Sequence, residues 1–269
     1  MKDKTNQVFW NRMSGFYDSF MRKDASLYDI ICSLIRIHLH PGMRVLELAA
    51  GTGIISLRLA NTGATITATD YSPAMIQKAK AKRVPRNVTF ETADACSLRY
   101  ADDSFDVVIM ANALHIMPQP EQALREVRRV LKPGGLFVCP TFVKADTLSG
   151  KVRVGMLTLA GMKRYHTWNL KQLCEFLDKN HMHVTMKGML SGTMPVAYVE
   201  AMADSARKVS TVNPLTDEEI PNSDEEPLPK STAEPLPNSE KEETAHRPEP
   251  AGNKIKPTKT EKGSKPKKA

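Results

Sequence analysis

Three carboxylates of this sequence lie at or just after short apolar runs that are typical of β-strands. Glu47 precedes a turn that contains Gly51 and Gly53, Asp70 ends the next run, and Asp94 follows the third. Glycines let a ligand approach the backbone closely, and a carboxylate after a second strand can accept both hydroxyls of a ribose. A carboxylate after the third strand can accept the exocyclic amine of adenine. Together the three acids favour a cationic, adenosine-containing ligand over a pyrophosphate.

His115 is the best-placed candidate for a general base. It follows a fourth apolar run at 105–111, and an imidazole has an unperturbed pKa near neutrality. The alternative is that His115 packs the wall of the site or caps the following loop. Tyr17, His166 and Tyr198 are weaker candidates for the same role.

A parallel sheet is needed to bring these residues together. Strands are predicted at 43–49, 65–70, 88–92, 105–111 and 136–143, and helices at 54–60, 72–82 and 121–131. This alternation predicts an α/β fold with a doubly wound sheet, in which ligands bind at the carboxyl ends of the strands. After helices at 151–161 and 169–180, two strand-like runs at 183–188 and 195–200 have no helix between them. They predict an antiparallel pair at the sheet edge.

Five motifs follow one another at the predicted strand ends. They are Glu47-Leu-Ala-Ala-Gly-Thr-Gly, Asp70, Asp94, the strand at 106–111 with Asn112-Ala-Leu-His-Ile after it, and Leu131-Lys-Pro-Gly-Gly. This order resembles the class I S-adenosylmethionine-dependent methyltransferases, and most of all the group of the ubiquinone and menaquinone biosynthesis methyltransferases (methyltransferase domain type 11). The resemblance covers about residues 8–200. It implies a Rossmann-like methyltransferase fold, with a seven-stranded, mostly parallel sheet whose last strand is antiparallel, and S-adenosyl-L-methionine as cofactor.

The resemblance also implies a set of cofactor-binding residues. Glu47 and the turn with Ala49, Gly51 and Gly53 would hold the methionine and ribose, with the carbonyl near Asn112 receiving the amino group. Asp70 would bind the ribose hydroxyls, Tyr71 and Met75 would pack beside adenine, and Asp94 with Ala95 would bind its amine. Tyr17 resembles an aromatic residue on a lid helix that closes over the cofactor. Ala49 departs from the pattern, because many relatives have glycine there.

A nicotinamide-binding Rossmann domain is the alternative for the glycine turn, because it also needs glycines and an acid after the second strand. Its fingerprint requires a third glycine where this chain has Ser56. A pyrophosphate would also lie close to the charge of Glu47.

The predicted function is transfer of a methyl group, by in-line displacement, to a small acceptor that is apolar or resembles a lipid or quinone. The stretch 144–162 is apolar and lies where such enzymes often build a substrate lid, and Met117, Met186, Met189 and Met194 add adaptable apolar surface. Two alternatives stay open: an RNA or protein methyltransferase that uses basic helix faces, and a non-catalytic cofactor-binding protein. Aromatic residues do not alternate with the cations, which argues against nucleic acid.

Composition separates a domain from a tail. Residues 205–269 contain ten of the 18 prolines, no aromatic residue and equal numbers of basic and acidic residues, so the net charge of +8 belongs to 1–204. We therefore predict a methyltransferase domain at 1–204, with lid helices at about 5–40. The predicted tail at 205–269 is disordered and rich in proline and charge, and its basic end is suited to weak contact with an anionic membrane surface.

The sequence contains no apolar run long enough for a membrane-spanning helix and no secretory signal. Its four cysteines are too far apart for a CxxC pair, so neither a metal site nor a disulfide scaffold is predicted. We expect a cytoplasmic enzyme.

Overall fold

The structure, a computed structural model, describes residues 5–144 and 148–204. The predicted tail at 205–269 lies outside the described residues. The helices are α1 (Thr5–Met13), α2 (Tyr17–Met21), α3 (Ala25–Arg36), α4 (Ile54–Leu59), α5 (Pro73–Lys80), α6 (Pro120–Val130), α7 (Leu148–Leu159) and α8 (Leu170–Lys179). The strands are β1 (Arg44–Leu48), β2 (Thr65–Asp70), β3 (Val88–Thr92), β4 (Phe105–Met110), β5 (Leu131–Val138), β6 (Thr141–Phe142), β7 (Met182–Leu190) and β8 (Val196–Ala203).

The strands form one sheet with the order β3-β2-β1-β4-β5-β8, and β7 pairs with the outer edge of β8. The five strands from β3 to β5 are parallel, and β8 is antiparallel to both β5 and β7. The two-residue β6 also pairs with β8 and lies just beyond β5. If β6 is counted as a continuation of β5, the sheet has seven strands. This confirms the predicted mostly parallel sheet with an antiparallel last strand.

Both faces of the sheet are covered, which explains why its central strands are almost entirely apolar. In β4, Val107 and Ile109 pack on the side of α3, α4 and α5, while Val108 and Met110 pack on the side of α6 and α8. Alternate residues of a strand face opposite sides, so a strand in this position must be apolar on both faces, as β4 is from Val107 to Met110. The predicted doubly wound architecture is confirmed.

The start of β5 differs from the prediction, which placed that strand at 136–143 and a turn before it. In the structure Leu131 already pairs with Phe105, and Val107 pairs with Leu136. One residue of β4, Asp106, is therefore opposed by residues 132–135, which bulge outward. The bulge accommodates the Pro-Gly-Gly sequence, and Lys132 closes over it with its Nζ 2.7 Å from Asp106 Oδ1.

No helix within the described part of the chain is long and apolar enough to cross a membrane. Among those same residues, no group of three or more histidine, cysteine or acidic side chains is arranged to hold a metal ion.

Candidate functional site

The carboxyl ends of β1, β2 and β4 open into a cavity of about 610 Å³. The chain winds outward from β1 to β2 and β3, then returns to place β4 on the other side of β1. Doubly wound sheets bind their ligands in the crevice at such a reversal. Residues of α1 and the end of α7 form part of the cavity wall.

Ten of the twelve site residues predicted from the sequence line this cavity. They are Tyr17, Ala49, Gly51, Asp70, Tyr71, Met75, Asp94, Ala95, Asn112 and His115. The other two, Glu47 and Gly53, are not part of the lining. The structure therefore brings residues from five separate segments of the chain to one place.

Asp70 is held by the backbone on both sides. Its Oδ2 accepts the N–H of Gly51 and its Oδ1 accepts the N–H of Ser72, both at 2.8 Å. Burial raises the pKa of this carboxyl to about 6, against the lowering effect of the two hydrogen bonds. Each oxygen keeps a further lone pair, so the side chain can still accept hydrogen bonds from a ligand.

Glu47 lies beneath the turn and is almost completely buried. Its Oε2 accepts the backbone N–H of Ser56 at 3.0 Å and also the Ser56 hydroxyl. It therefore ties the end of β1 to the first turn of α4, and any effect on a ligand in the cavity is indirect. Burial raises its pKa to about 7, and the nearby charge of Asp70 acts in the same direction.

This buried carboxyl predicts how stability depends on pH. The pKa of Glu47 in the folded protein is about 7, against an ordinary value of 4.5 for a glutamate side chain. Folding therefore favours the protonated form, and stability from this group is lost as pH rises from about 4.5 to 7. We expect Glu47→Gln, which stays neutral and can still accept from Ser56, to be more stable than the wild type at pH 8 by on the order of 2 kcal/mol.

Urea denaturation of both proteins at pH 5 and pH 8 measures this effect. The advantage of Glu47→Gln should shrink at pH 5, where the wild-type carboxyl is largely protonated. Equal stabilities of the two proteins at pH 8 would contradict the prediction.

Tyr17 covers the glycine turn. A Cβ on Gly51 would lie 3.3 Å from Cε1 of Tyr17, so the ring lies close against this part of the backbone. Trp10 packs edge-on against the Tyr17 ring, with 5.8 Å between the ring centroids. Burial raises the pKa of the Tyr17 hydroxyl well above its usual value, so it stays protonated at neutral pH. Because glycine has no side chain, the Tyr17 ring can lie this close to the turn at Gly51.

Helix α1 is fastened to the rim of the cavity by side-chain amides. Asn6 Nδ2 donates to the carbonyls of Ile116 and Lys163 at 2.7 and 2.8 Å. Gln7 Nε2 donates to the carbonyl of Tyr71 at 2.8 Å. These bonds connect α1 to the loops after β2 and β4 and to the segment after α7, so α1 forms part of the cavity wall.

Two non-glycine residues of the lining have left-handed backbone conformations. Ala49 follows β1 with φ +54°, and Asn112 follows β4 with φ +53°. Such a conformation is unfavourable for alanine and is one that glycine adopts freely. Asn112 is fixed by its side chain, whose Oδ1 accepts the N–H of Phe142 at 3.0 Å and whose Nδ2 donates to the Tyr28 hydroxyl at 3.1 Å.

Asp94 lies in the loop after β3, with Ala95 beside it. Its Oδ1 accepts the N–H of Cys96 at 2.9 Å, which orients the carboxylate within a tight turn. Met75, on α5, is buried in the same wall of the cavity. A planar ring bound between Met75 and this turn would have the Asp94 carboxylate, a hydrogen-bond acceptor, at its edge.

His115 lies in a 3-10 helix after β4, where it is only 6% exposed. Burial, with smaller contributions from the charges of Arg164 and His166, lowers its pKa to about 3. The imidazole is therefore neutral, and its Nδ1 has no hydrogen-bond partner among the described residues. The expectation of a base with a pKa near neutrality rested on the unperturbed value, which this environment does not preserve.

The apolar part of the cavity is lined by fewer of the predicted apolar residues than the sequence suggested. Leu157, Met162, Met117 and Met194 line it, together with aromatic residues. Met156, Met186 and Met189 are 41–57% exposed and do not line it. Among the described side chains of α7, Leu157 is buried; together with Met162, which follows the helix, it packs against Phe9 of α1.

Several lining residues were not predicted. They include Asn6, Gln7 and Trp10 of α1, Phe20 and Met21 of α2, and Phe142 and Arg164. The segment before Tyr17 gave one available signal, since its polar amides are interleaved with aromatic residues, a pattern that suits a helix at the wall of a site. For Arg164 the sequence gave no signal.

Comparisons with known proteins agree with this geometry. Residues 46–139 match a family described as a methyltransferase domain. A demethylmenaquinone methyltransferase of Renibacterium salmoninarum is 41% identical over 102 residues, which are 38% of this chain and 42% of that protein. An uncharacterized protein of Mycobacterium tuberculosis is 43% identical over 97 residues, 35% of each chain. The match thus spans less than half the length of these curated relatives.

Solved structures share the fold at low sequence identity. A S-adenosylmethionine-dependent methyltransferase from Aquifex aeolicus has a TM-score of 0.55 at 20% identity, covering 68% of this chain and 93% of that one. A 1,6-didemethyltoxoflavin-N1-methyltransferase of Burkholderia thailandensis, solved with 1,6-didemethyltoxoflavin and S-adenosylhomocysteine, has a TM-score of 0.57 at 18% identity, covering 74% and 88%.

Proposed function

We propose that this chain, whose residues 46–139 match a family described as a methyltransferase domain, is a class I S-adenosylmethionine-dependent methyltransferase that transfers a methyl group to a small, apolar acceptor. One observation carries the proposal: Asp70 and the turn at Gly51 face one cavity, together with Asp94 and Asn112. A nicotinamide cofactor is disfavoured, because Ser56 is used to bind Glu47 and the turn has no third glycine.

The residues present fit this cofactor. The acidic side chains Asp70 and Asp94 suit a ligand that carries positive charge and donates hydrogen bonds from a ribose and an adenine amine. Gly51 lines the cavity although the Tyr17 ring covers the side where a Cβ would lie, and the wall formed by Met75 and Tyr71 suits a planar ring. A volume of about 610 Å³ leaves space for an acceptor beside the cofactor.

When bound, S-adenosylmethionine would supply a methyl group activated by its sulfonium; the acceptor would attack the methyl carbon in line, and S-adenosylhomocysteine would leave. The protein's own residues then have mainly to bind, orient and exclude water. Asp70 orients the ribose, Asn112 fixes the loop after β4, and Tyr17 with Trp10 covers the glycine turn. His115 stays neutral and offers a hydrogen bond to the acceptor.

The lining beyond β4 supports an apolar acceptor. Phe142, Met117, Leu157 and Met162 contribute side chains of high apolar content and adaptable shape. The demethylmenaquinone methyltransferases that resemble part of this chain carry the name of a quinone substrate, which has the same character. A lipid-like or quinone-like molecule is therefore the acceptor class that we propose, in a cytoplasmic enzyme.

A methyltransferase that binds RNA or protein through its basic helix faces is less well supported. Arg129 on α6 pairs with Glu126 and Asp102 at 2.9 and 2.8 Å, and Lys132 pairs with Asp106. These cations stabilise the loop and bulge around β4 and β5. They are thus partly neutralised within the domain.

Transfer of a labelled methyl group tests the proposal. Purified protein is incubated with methyl-tritiated S-adenosylmethionine and an extract of the organism that encodes it, with Asp70→Asn as the inactive control. We expect Asp70-dependent label in the fraction of small molecules soluble in organic solvent. Label in nucleic acid or protein would contradict the acceptor class, and failure to bind S-adenosylhomocysteine in calorimetry would contradict the whole proposal.

A further inference from the structure

The cavity carries opposite charges in its two parts. Asp70 and Asp94 lie at the ends of β2 and β3, where the cofactor is proposed to bind. Arg164 lines the cavity in the other part, close enough to His115 for its charge to act on the imidazole. Arg164 forms no ion pair with a carboxylate of the described residues. Its guanidinium is therefore a cation available to a ligand.

The backbone around Arg164 is fixed on both sides. The N–H of Lys163 donates to Asn6 Oδ1 at 2.8 Å, and the carbonyl of Lys163 accepts from the same side chain. The next residues, Tyr165 and His166, both donate their N–H groups to the carbonyl of His115, at 3.0 and 3.1 Å. Four backbone hydrogen bonds of the neighbouring residues, two of Lys163 and one each of Tyr165 and His166, thus hold the chain around Arg164 beside His115.

His115 contributes a second polar group with no partner within the described chain. Its Nδ1 is buried and forms no hydrogen bond there, and its ring is edge-on to Phe142 at 6.1 Å between centroids. A buried polar atom without a partner is costly, so this nitrogen is expected to bond to a ligand. Burial and the charge of Arg164 lower the pKa of His115 to about 3, so it meets the ligand as a neutral imidazole.

From this arrangement we propose that the methyl acceptor is a small oxyanion with an apolar body, and that Arg164 and His115 bind its ionised oxygen. The inference rests on the proposed function of the same site and adds the charge of its substrate. A guanidinium binds oxyanions by charge-assisted hydrogen bonds, and a neutral imidazole with its proton on Nδ1 donates one more. The apolar body packs against Phe142, Met117 and Leu157. With the Arg164 guanidinium and the His115 Nδ1–H at its oxygen, the acceptor binds in its ionised form.

A pair of aromatic probes tests the charge preference. Binding of 2-naphthoate and of its neutral analogue 2-naphthamide is measured by calorimetry, with the full chain first saturated with S-adenosylhomocysteine. We expect the wild type to bind naphthoate about tenfold more tightly than naphthamide. Arg164→Gln should lose this preference, and Arg164→Lys should keep part of it.

Lys163→Gln is the matched control, since it removes the same charge from the neighbouring residue, which does not line the cavity. It should retain the preference for naphthoate. Equal affinities of the two probes for the wild type, no binding of naphthoate, or a preference that Arg164→Gln leaves unchanged would overturn the inference. S-adenosylhomocysteine binding, measured first, separates these outcomes from failure of the proposed function.

Discussion

Replacing Asp70 with asparagine is expected to weaken the binding of S-adenosylhomocysteine about 100-fold at pH 7.5. Both oxygens of Asp70 accept backbone N–H groups, from Gly51 and Ser72, which hold the carboxylate where a ribose can reach it. An amide turns one of these acceptors into a donor that faces another donor. The variant therefore loses an acceptor for the ligand and disturbs the turn. Isothermal titration calorimetry measures the effect.

The same carboxylate predicts a dependence of affinity on pH. Its pKa in the free protein is about 6, and ribose hydroxyls donate to the ionised form, so binding lowers that pKa. Affinity should be full above pH 7 and should fall as the pH drops below 6, by at most about tenfold per pH unit. Asp29→Asn, an equal change of charge at an exposed position on α3 outside the lining, should keep both the affinity and its pH dependence. A wild-type affinity that is constant from pH 5 to 8 would contradict this assignment.

The fold was predictable because its signals are local and repeated. Strands such as β4 are apolar at nearly every residue, with Asp106 as its one polar residue, as a sheet covered on both faces requires, and α5 begins with Ser72 as cap and Pro73 in the first turn. The start of β5 was not predictable in the same way. Its first residue joins the sheet by pairing with Phe105, a contact between distant segments, while the local Pro-Gly-Gly sequence indicates a turn.

The candidate site shows the same difference between local sequence signals and contacts between distant segments. Residues predicted at strand ends, such as Asp70 and Asn112, line the cavity because the ends of parallel strands meet at one edge. The environment of each side chain was not predictable. Glu47 does not line the cavity and binds Ser56, and the pKa of His115 depends on burial and on Arg164, about fifty residues away. Those properties arise only when the loops and α1 are packed together.

Gly53 illustrates how tightly this packing constrains the turn, and Gly53→Ala is expected to lower the free energy of unfolding by about 3 kcal/mol. The residue precedes α4 with φ +77°, a left-handed conformation that is unfavourable for alanine. In addition, a Cβ at this position would lie 2.4 Å from Cζ and 2.6 Å from Cε1 of Phe90. Phe90 is buried in the core between β3 and the helices, so its ring has little space to withdraw. Urea denaturation measures the loss.

A double-mutant cycle with Phe90→Leu separates the two causes. A leucine side chain ends short of the position of Cζ, so the clash is relieved while the backbone strain of about 1 kcal/mol remains. Gly53→Ala should therefore cost markedly less in the Phe90→Leu background than alone. Gly15→Ala is the control, because a Cβ there meets nothing within 4 Å and the backbone is not left-handed. Additive losses in the cycle would show that Phe90 does not restrict the residue, and the need for glycine would then lie in the conformation of the turn itself.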